Sequence, residues 1–245
     1  MKYKVESVNP YDSDRPKKEQ ISEMFDKIAN KYDKLNTVLS FGIDDYWRRE
    51  ALCILKSYPH NNILDVATGT GDFAIMAHKI LNPESITAID ISEGMMAVGK
   101  NKVREKGLDD IIAFDLQDCA DLTFKDNSFD AVISSFGVRN FGDIDKSFQE
   151  VLRVLNPGGI FMFIELTIPE KSPFKELYDK YSNNVMPFLA NIFATEQKAY
   201  NYLPNSIKAF PQGRDMMLIL KKNGFKRIRL RRLTMGITTL YIAEK

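Results

Sequence analysis

Asp65-Val66-Ala67-Thr68-Gly69-Thr70-Gly71-Asp72-Phe73-Ala74 is the stretch whose reading decides the fold. It grows out of a short apolar run, Ile63-Leu64-Asp65-Val66, and leads into a helical pattern over 72–81. Gly69 and Gly71 let the backbone turn tightly and approach a ligand closely. Asp90 closes a second strand, 85–90, 19 residues after Gly71. A carboxylate at that point can accept hydrogen bonds from both hydroxyls of an adenosine ribose. Loop and acid together predict an adenosine cofactor lying across the strand ends.

Outward from the loop, strand and helix keep alternating. The spacing predicts helices over 93–106 and 143–155, and strands over 111–116, 129–134 and 160–166. Such alternation implies parallel pairing, and the short apolar strands fit a sheet covered on both faces. Beyond residue 166 come helical pieces rich in Phe, Tyr and Met, then a helix over 213–223 stopped by Gly224. Runs 225–233 and 236–243 read as a closing antiparallel hairpin. Upstream, Met24, Phe25, Ile28, Tyr32 and Leu35 share one helical face, and 46–56 reads as a second helix. The expectation is a Rossmann-like α/β fold: a doubly wound, mainly parallel seven-stranded sheet ending in an antiparallel hairpin, with N-terminal helices. Residues 1–20 are expected to be a flexible N-terminus and 21–245 a single domain. Within it, 21–58 form a helical lid and 172–212 a helical insertion on the substrate side.

Composition excludes several classes. The 245 residues carry 34 Lys plus Arg against 33 Asp plus Glu, a net charge of +1, which gives no general attraction to nucleic acid. No apolar run approaches the ~18 residues that span a bilayer, and the first residues lack the apolar stretch of a signal peptide. Cys53 and Cys119 are the only cysteines, too few for a disulfide framework and without zinc spacing, so no metal is expected. A cytoplasmic location follows as the default.

Two cofactor classes compete for the loop. Gly69-Thr70-Gly71-Asp72-Phe73-Ala74 satisfies the dinucleotide pattern, which alone is weak. Asp65 before the loop can reach an ammonium or order the loop itself. Asp118, past the third strand, can meet an adenine amino group. With Asn156-Pro157-Gly158-Gly159 before the fifth strand, this set resembles the class I methyltransferases that use S-adenosylmethionine. Asp72 reads more simply as a first-turn acid favoured by the helix dipole. A nicotinamide oxidoreductase would need a Tyr-x-x-x-Lys pair, which Tyr178-Asp179-Lys180 does not supply.

The flanks point to the acceptor. Phe25-Asp26-Lys27-Ile28-Ala29-Asn30-Lys31-Tyr32-Asp33-Lys34-Leu35-Asn36, Ser134-Ser135-Phe136-Gly137-Val138-Arg139-Asn140 and Tyr200-Asn201-Tyr202-Leu203-Pro204-Asn205 stand in this order. They resemble the quinone-biosynthesis C-methyltransferases, the demethylmenaquinone methyltransferase and 2-methoxy-6-polyprenyl-benzoquinol methylase group. Ala67-Thr68-Gly69-Thr70, in place of Ala-Gly-Gly-Thr, leans toward the menaquinone branch, with a bifunctional enzyme as the alternative. The resemblance implies S-adenosylmethionine contacts at Asp65, Gly69, Thr70, Gly71, Asp90, Asp118, Cys119 and Ser135. It implies substrate contacts at Tyr32, Asn36 and Tyr202, and a prenylated quinol as the acceptor.

The chemistry then asks for a group that helps a phenol near pKa ~10 toward its anion. His60 precedes the first strand and His78 lies along a helix, so neither is well placed. Arg139 and Asn140 follow the fourth strand, where open α/β sheets bind ligands. The two are expected to be catalytic, orienting and polarising the quinol oxygen. Arg139 would stabilise the developing phenolate electrostatically, either by directing a water or by accepting the proton transiently. A tail groove with Met186, Phe188, Leu189 and Phe193, and peripheral contact with the inner face of the membrane, follow from a prenylated substrate. Arg227, Arg229 and Arg231 alternate along a strand, guarding a sheet edge or touching anionic lipid. The oligomeric state is left open, a homodimer among the alternatives.

Overall fold

The computed structural model describes residues 3–185 and 197–245. Three N-terminal helices, α1 (Lys17–Ile28), α2 (Tyr32–Ser40) and α3 (Ile43–Leu55), precede the alternating core. The core runs β1 (Asn62–Val66), α4 (Asp72–Leu81), β2 (Ser85–Asp90), α5 (Glu93–Glu105), β3 (Ile112–Leu116), β4 (Phe129–Ser135), α6 (Ile144–Val154) and β5 (Leu155–Leu166). After it come α7 (Phe174–Lys180), a π-helical turn (Tyr181–Val185), α8 (Gln197–Ala209), α9 (Arg214–Lys222), β6 (Lys226–Leu233) and β7 (Thr238–Glu244). The seven strands lie in the order β3-β2-β1-β4-β5-β7-β6, parallel except where β7 pairs with β5 and β6. The expected mixed sheet is therefore present, with β7 inserted between β5 and its hairpin partner.

Strand order explains where a ligand can go. From β1 the chain moves outward to β2 and β3, then returns to lay β4 on the other side of β1. The loops leaving β1 and β4 part at that reversal and open a crevice at their carboxyl ends. The register sets Val66 beside Ile89, so Asp90 projects one residue beyond the end of β1, next to the glycine loop.

Alternation along the strands divides the core into two layers. Ile63, Ile133 and Ile164 face α3, α4 and the Val103 side of α5. Leu64, Val132 and Phe163 face α6 and α9, around a cluster in which the Phe148 ring lies 5.4 Å from Phe161 and 6.4 Å from Phe225.

The N-terminus departs from the sequence expectation. Polar composition suggests a loose arm through residue 20, yet Val5 is fully buried in the α6 layer and α1 already starts at Lys17. The cause is a set of specific polar anchors that composition does not reveal. Glu6 accepts from the Ile144 backbone N–H at the start of α6, and the Tyr3 hydroxyl donates to Asp145 at 2.8 Å. The buried Lys17 ammonium donates to the carbonyls of Val5, Arg139 and Phe141, which consumes all three of its protons. The arm thus ties α1 to the segment after β4. Val5→Ala should lower stability by about 2 kcal/mol, from lost burial and the cavity left behind. A urea midpoint equal to that of the parent would contradict this packing.

Candidate active site

The glycine loop is held from both sides. The Thr68 hydroxyl donates to Asp65 Oδ2 at 2.6 Å, and the Gly69 N–H donates to Asp90 Oδ2 at 2.7 Å. Gly71 sits at φ 76°, a left-handed conformation, and a Cβ there would stand 2.9 Å from the Phe114 ring. Both reasons require glycine. Asp72 takes the first-turn place expected of it and pairs with Lys102 at 2.6 Å.

Beside the loop lies a cleft of about 640 Å³. Gly69, Asp90, Asp118, Cys119, Ser135 and Asn140 all line it. Thr70 does not: it is buried, and its hydroxyl donates to Asp33 of α2 at 2.6 Å. Asp65 and Gly71 sit behind the loop. Burial pushes the Asp65 carboxyl up to about 7, and its Oδ1 has no hydrogen-bond partner among the described residues. Such an orphaned buried oxygen suits an ammonium group. Burial raises Asp90 as well, against backbone hydrogen bonds from Ser92 and Gly69. Cys119 is a buried thiol pushed far up by burial, which makes it a packing group without nucleophilic character. These donors and acceptors fit an adenosine joined to an amino acid.

Helices α1 and α2 lie across this cleft. Asp26 accepts from the Ser92 hydroxyl at 2.5 Å and from the Gly94 N–H at 2.8 Å, at the start of α5. Asp33 accepts from Thr70 and pairs with Lys102 at 2.5 Å. Asp26 and Asp33 therefore fasten α1 and α2 to the start of α5 and to the glycine loop.

A second cavity of about 680 Å³ adjoins the first. Tyr32 and Phe136 line both. Asn36, Trp47, Arg139 and Tyr181 complete its polar and aromatic wall. Tyr202 lines a neighbouring recess with Tyr32, Asn36 and Arg139, and its hydroxyl donates to Asn140 Oδ1 at 3.0 Å. The three residues expected to contact substrate thus surround Arg139. Met186, Phe188, Leu189 and Phe193 lie outside the described residues.

Arg139 is the electrostatic centre. Its Nη1 donates to Glu165 Oε1 at 2.6 Å and to the Phe136 carbonyl, while its backbone N–H donates to Glu165 Oε2 at 3.1 Å. Both side chains are almost wholly withdrawn from water. Burial alone would lower the guanidinium, but Glu165, then Tyr32 and Tyr202, outweigh it and hold Arg139 above its usual value. An arginine held up in this way carries its charge at neutral pH. Its Nε is buried and without a partner among the described residues, so hydrogen-bonding capacity remains. Spacing in the sequence does not point to Glu165. The signal was available, because an acid ends an otherwise apolar strand, Phe161-Met162-Phe163-Ile164-Glu165. Arg48 of α3 forms a second buried cation, donating to Ser135 Oγ at 3.1 Å and pairing with Asp44 at 2.7 Å. The β6 arginines are paired too, Arg227 with Glu244 and Arg231 with Glu50.

Known proteins match this arrangement over nearly the whole chain. A family model described as the ubiE/COQ5 methyltransferase family covers residues 14–245. The demethylmenaquinone methyltransferase of Bacteroides fragilis is 49% identical over 100% of both chains. The ubiquinone/menaquinone biosynthesis C-methyltransferase UbiE of Geotalea daltonii is 43% identical, over 94% of this chain and 97% of its own. A solved SAM-dependent methyltransferase of Thermotoga maritima, a possible histamine N-methyltransferase, aligns with a TM-score of 0.63. It is 18% identical and covers 91% of this chain and 99% of its own, a likeness of fold alone. The chain belongs to the ubiE/COQ5 methyltransferase family, and its methyl donor is S-adenosylmethionine.

Proposed function

We propose that this chain methylates a ring carbon of a prenylated quinol, demethylmenaquinol to menaquinol, with the reduced acceptor seated in the cavity beside Arg139. The observation that carries the reading is the buried Arg139–Glu165 pair at an aromatic-walled cavity that shares Tyr32 and Phe136 with the cofactor cleft. The name of the relative that is 49% identical favours the menaquinone branch. The UbiE relative keeps the bifunctional alternative in view.

When bound, S-adenosylmethionine supplies a methyl group already activated by the sulfonium, so no nucleophilic side chain is required. The protein's task is to align, to exclude water and to make the ring carbon electron-rich. Asp90, which lines the cleft, holds the ribose, and Asp65, buried behind the loop, meets the ammonium through its unpartnered Oδ1. The lid, fastened by Asp26 and Asp33, covers the cleft. Arg139 stabilises negative charge on the quinol oxygen once its proton has left to solvent, which pushes electron density onto the neighbouring carbon. As that carbon takes the methyl group the bond from methyl to sulfur breaks, and the carbon's own hydrogen leaves as a proton to restore the aromatic ring. Tyr32, shared by both cavities, and Asn140, tied to Tyr202, orient the ring. An oxidised quinone has no such oxygen to ionise.

Three outcomes follow. Purified enzyme with labelled S-adenosylmethionine should label the ring carbon of reduced demethylmenaquinol and leave the oxidised quinone unlabelled. Label on a methoxy-prenyl-benzoquinol as well would establish the bifunctional alternative, and no label on any quinol would overturn the acceptor.

Arg139→Leu strands the Glu165 charge, at a cost of about 3–5 kcal/mol of stability, so it is best made together with Glu165→Gln. That double variant should lose about 10²-fold in turnover while cofactor affinity changes little. Equal losses in both would contradict the assignment.

Asp65 in the free enzyme holds a proton below about pH 7. An ammonium beside it favours the carboxylate, so binding there releases that proton. Cofactor affinity should therefore weaken as pH falls from 7 to 5.5, approaching about tenfold per unit, and Asp65→Asn should flatten the dependence. A dissociation constant independent of pH in the parent would remove Asp65 from the site.

A further inference from the structure

Asp44 is a buried carboxylate that the mechanism above leaves unused. It stands in the first turn of α3 and is 7% exposed. Among the described residues that line the cavity beside Arg139, Asp44 and Arg139 are the charged ones, and the rest are aromatic, aliphatic or neutral polar. Arg139 also lines the neighbouring recess with Tyr202, whereas Asp44 lines neither that recess nor the cofactor cleft. The two charges therefore hold separate parts of the cavity wall.

The local chain explains how this carboxylate is held. Phe41 and Gly42, both left-handed, reverse the chain between α2 and α3 and bring Ser40 onto Asp44. Ser40 Oγ donates to Asp44 Oδ1 at 2.5 Å, and Arg48 Nη1, one turn along α3, donates to Oδ2 at 2.7 Å. Arg48 Nε in turn donates to Ser135 Oγ in the cofactor cleft, and its guanidinium lies 5.6 Å from the centre of the Phe136 ring. Asp44 is thus fixed in relation to the wall that both cavities share. Asp45 stands 3.2 Å from the same Arg48 nitrogen, so Arg48 has a counter-charge besides Asp44. Each Asp44 oxygen accepts one hydrogen bond among the described residues and has room for a second.

A quinol carries two hydroxyls on opposite edges of its ring. Arg139 serves the oxygen beside the methylated carbon, and the other hydroxyl enters the cavity with a proton to donate. We propose that Asp44 accepts the hydrogen bond of this second hydroxyl and so makes the cavity select the reduced form of its ligand. Lacking an ionisable oxygen stops a quinone from reacting, yet it does not stop a quinone from filling the cavity. Asp44 does that: a carboxylate accepts and cannot donate, so a quinone carbonyl set against it meets lone pairs with no proton between them. A ring entering the cavity also displaces water from Asp44, which leaves its oxygens short of a partner unless the ligand donates. A site built around such a hydrogen bond strongly rejects the analogue that lacks it. The inference rests on the quinol acceptor proposed above and adds to it the choice between two redox states.

The test is equilibrium binding of a short-tailed menaquinone, reduced and oxidised, to the full chain saturated with S-adenosylhomocysteine. This ligand already carries the methyl group, so nothing turns over. Trp47, the chain's only tryptophan, lines the cavity and reports occupancy by its fluorescence. The parent should bind the reduced form about tenfold or more tighter than the oxidised form. Asp44→Asn, which can donate as well as accept, should weaken the reduced form, strengthen the oxidised form and bring the two to similar affinity. Its affinity for S-adenosylhomocysteine should match the parent's. If Asp44→Asn does not fold, the D44N/R48M pair, which strands no charge, is measured in its place with the same expectation. A parent that binds both forms alike, a variant that keeps the parent's preference, or a variant that weakens both forms equally overturns the proposal. If the preference collapses as expected while the parent labels no quinol, the acceptor reading fails and the redox selection by Asp44 stands.

Discussion

A guanidinium and a carboxylate are withdrawn from water together where β4 and β5 end, and the rest of the site is arranged around them. Taking two charges into the interior costs several kcal/mol each, and their attraction repays this only when geometry and further hydrogen bonds are good. Here Glu165 accepts from the Arg139 side chain, from its backbone N–H and from the Leu166 N–H. The Arg139 carbonyl in turn accepts from Lys17, which the N-terminal arm and the β4 segment share. A cation fixed in this way has little reorganisation left to make when charge develops beside it, which is the condition for strong electrostatic stabilisation.

That arrangement divides labour between fold and lid. The sheet reversal and the glycine loop place Asp65 and Asp90 without help from the flanks. The lid contributes what the sheet cannot: Tyr32 at the junction of the cavities, and Asp33 bonded to the loop through Thr70. Because Lys102 bridges Asp33 and Asp72, lid and loop share one polar cluster. Each of these exposed or half-exposed pairs is weak alone. Together they fasten α1 and α2 across the glycine loop.

Local patterns made much of this legible in the sequence. The loop, the strand-ending Asp90 and the helix boundaries depend on neighbours in the chain, and spacing alone points to them. What escaped was set by contacts far apart in sequence. Glu165 lies 26 residues from Arg139 and ends an apolar strand, so periodicity absorbed it. Val5 is one apolar residue in a polar arm, and its burial follows from partners 12 and 138 residues away from Lys17 and Glu6 anchors that no composition window joins.

The central claim is that Arg139 is a fixed cation and that no protein group takes up the quinol proton, which leaves to solvent. Single-turnover methyl transfer at saturating cofactor, followed from pH 6 to 9.5, tests it most directly. With no protein group accepting the proton, the rate should climb with pH by up to about tenfold per unit until the quinol oxygen is ionised. A rate that stays flat over that range would require a proton acceptor already ionised at the lowest pH, and would contradict the account.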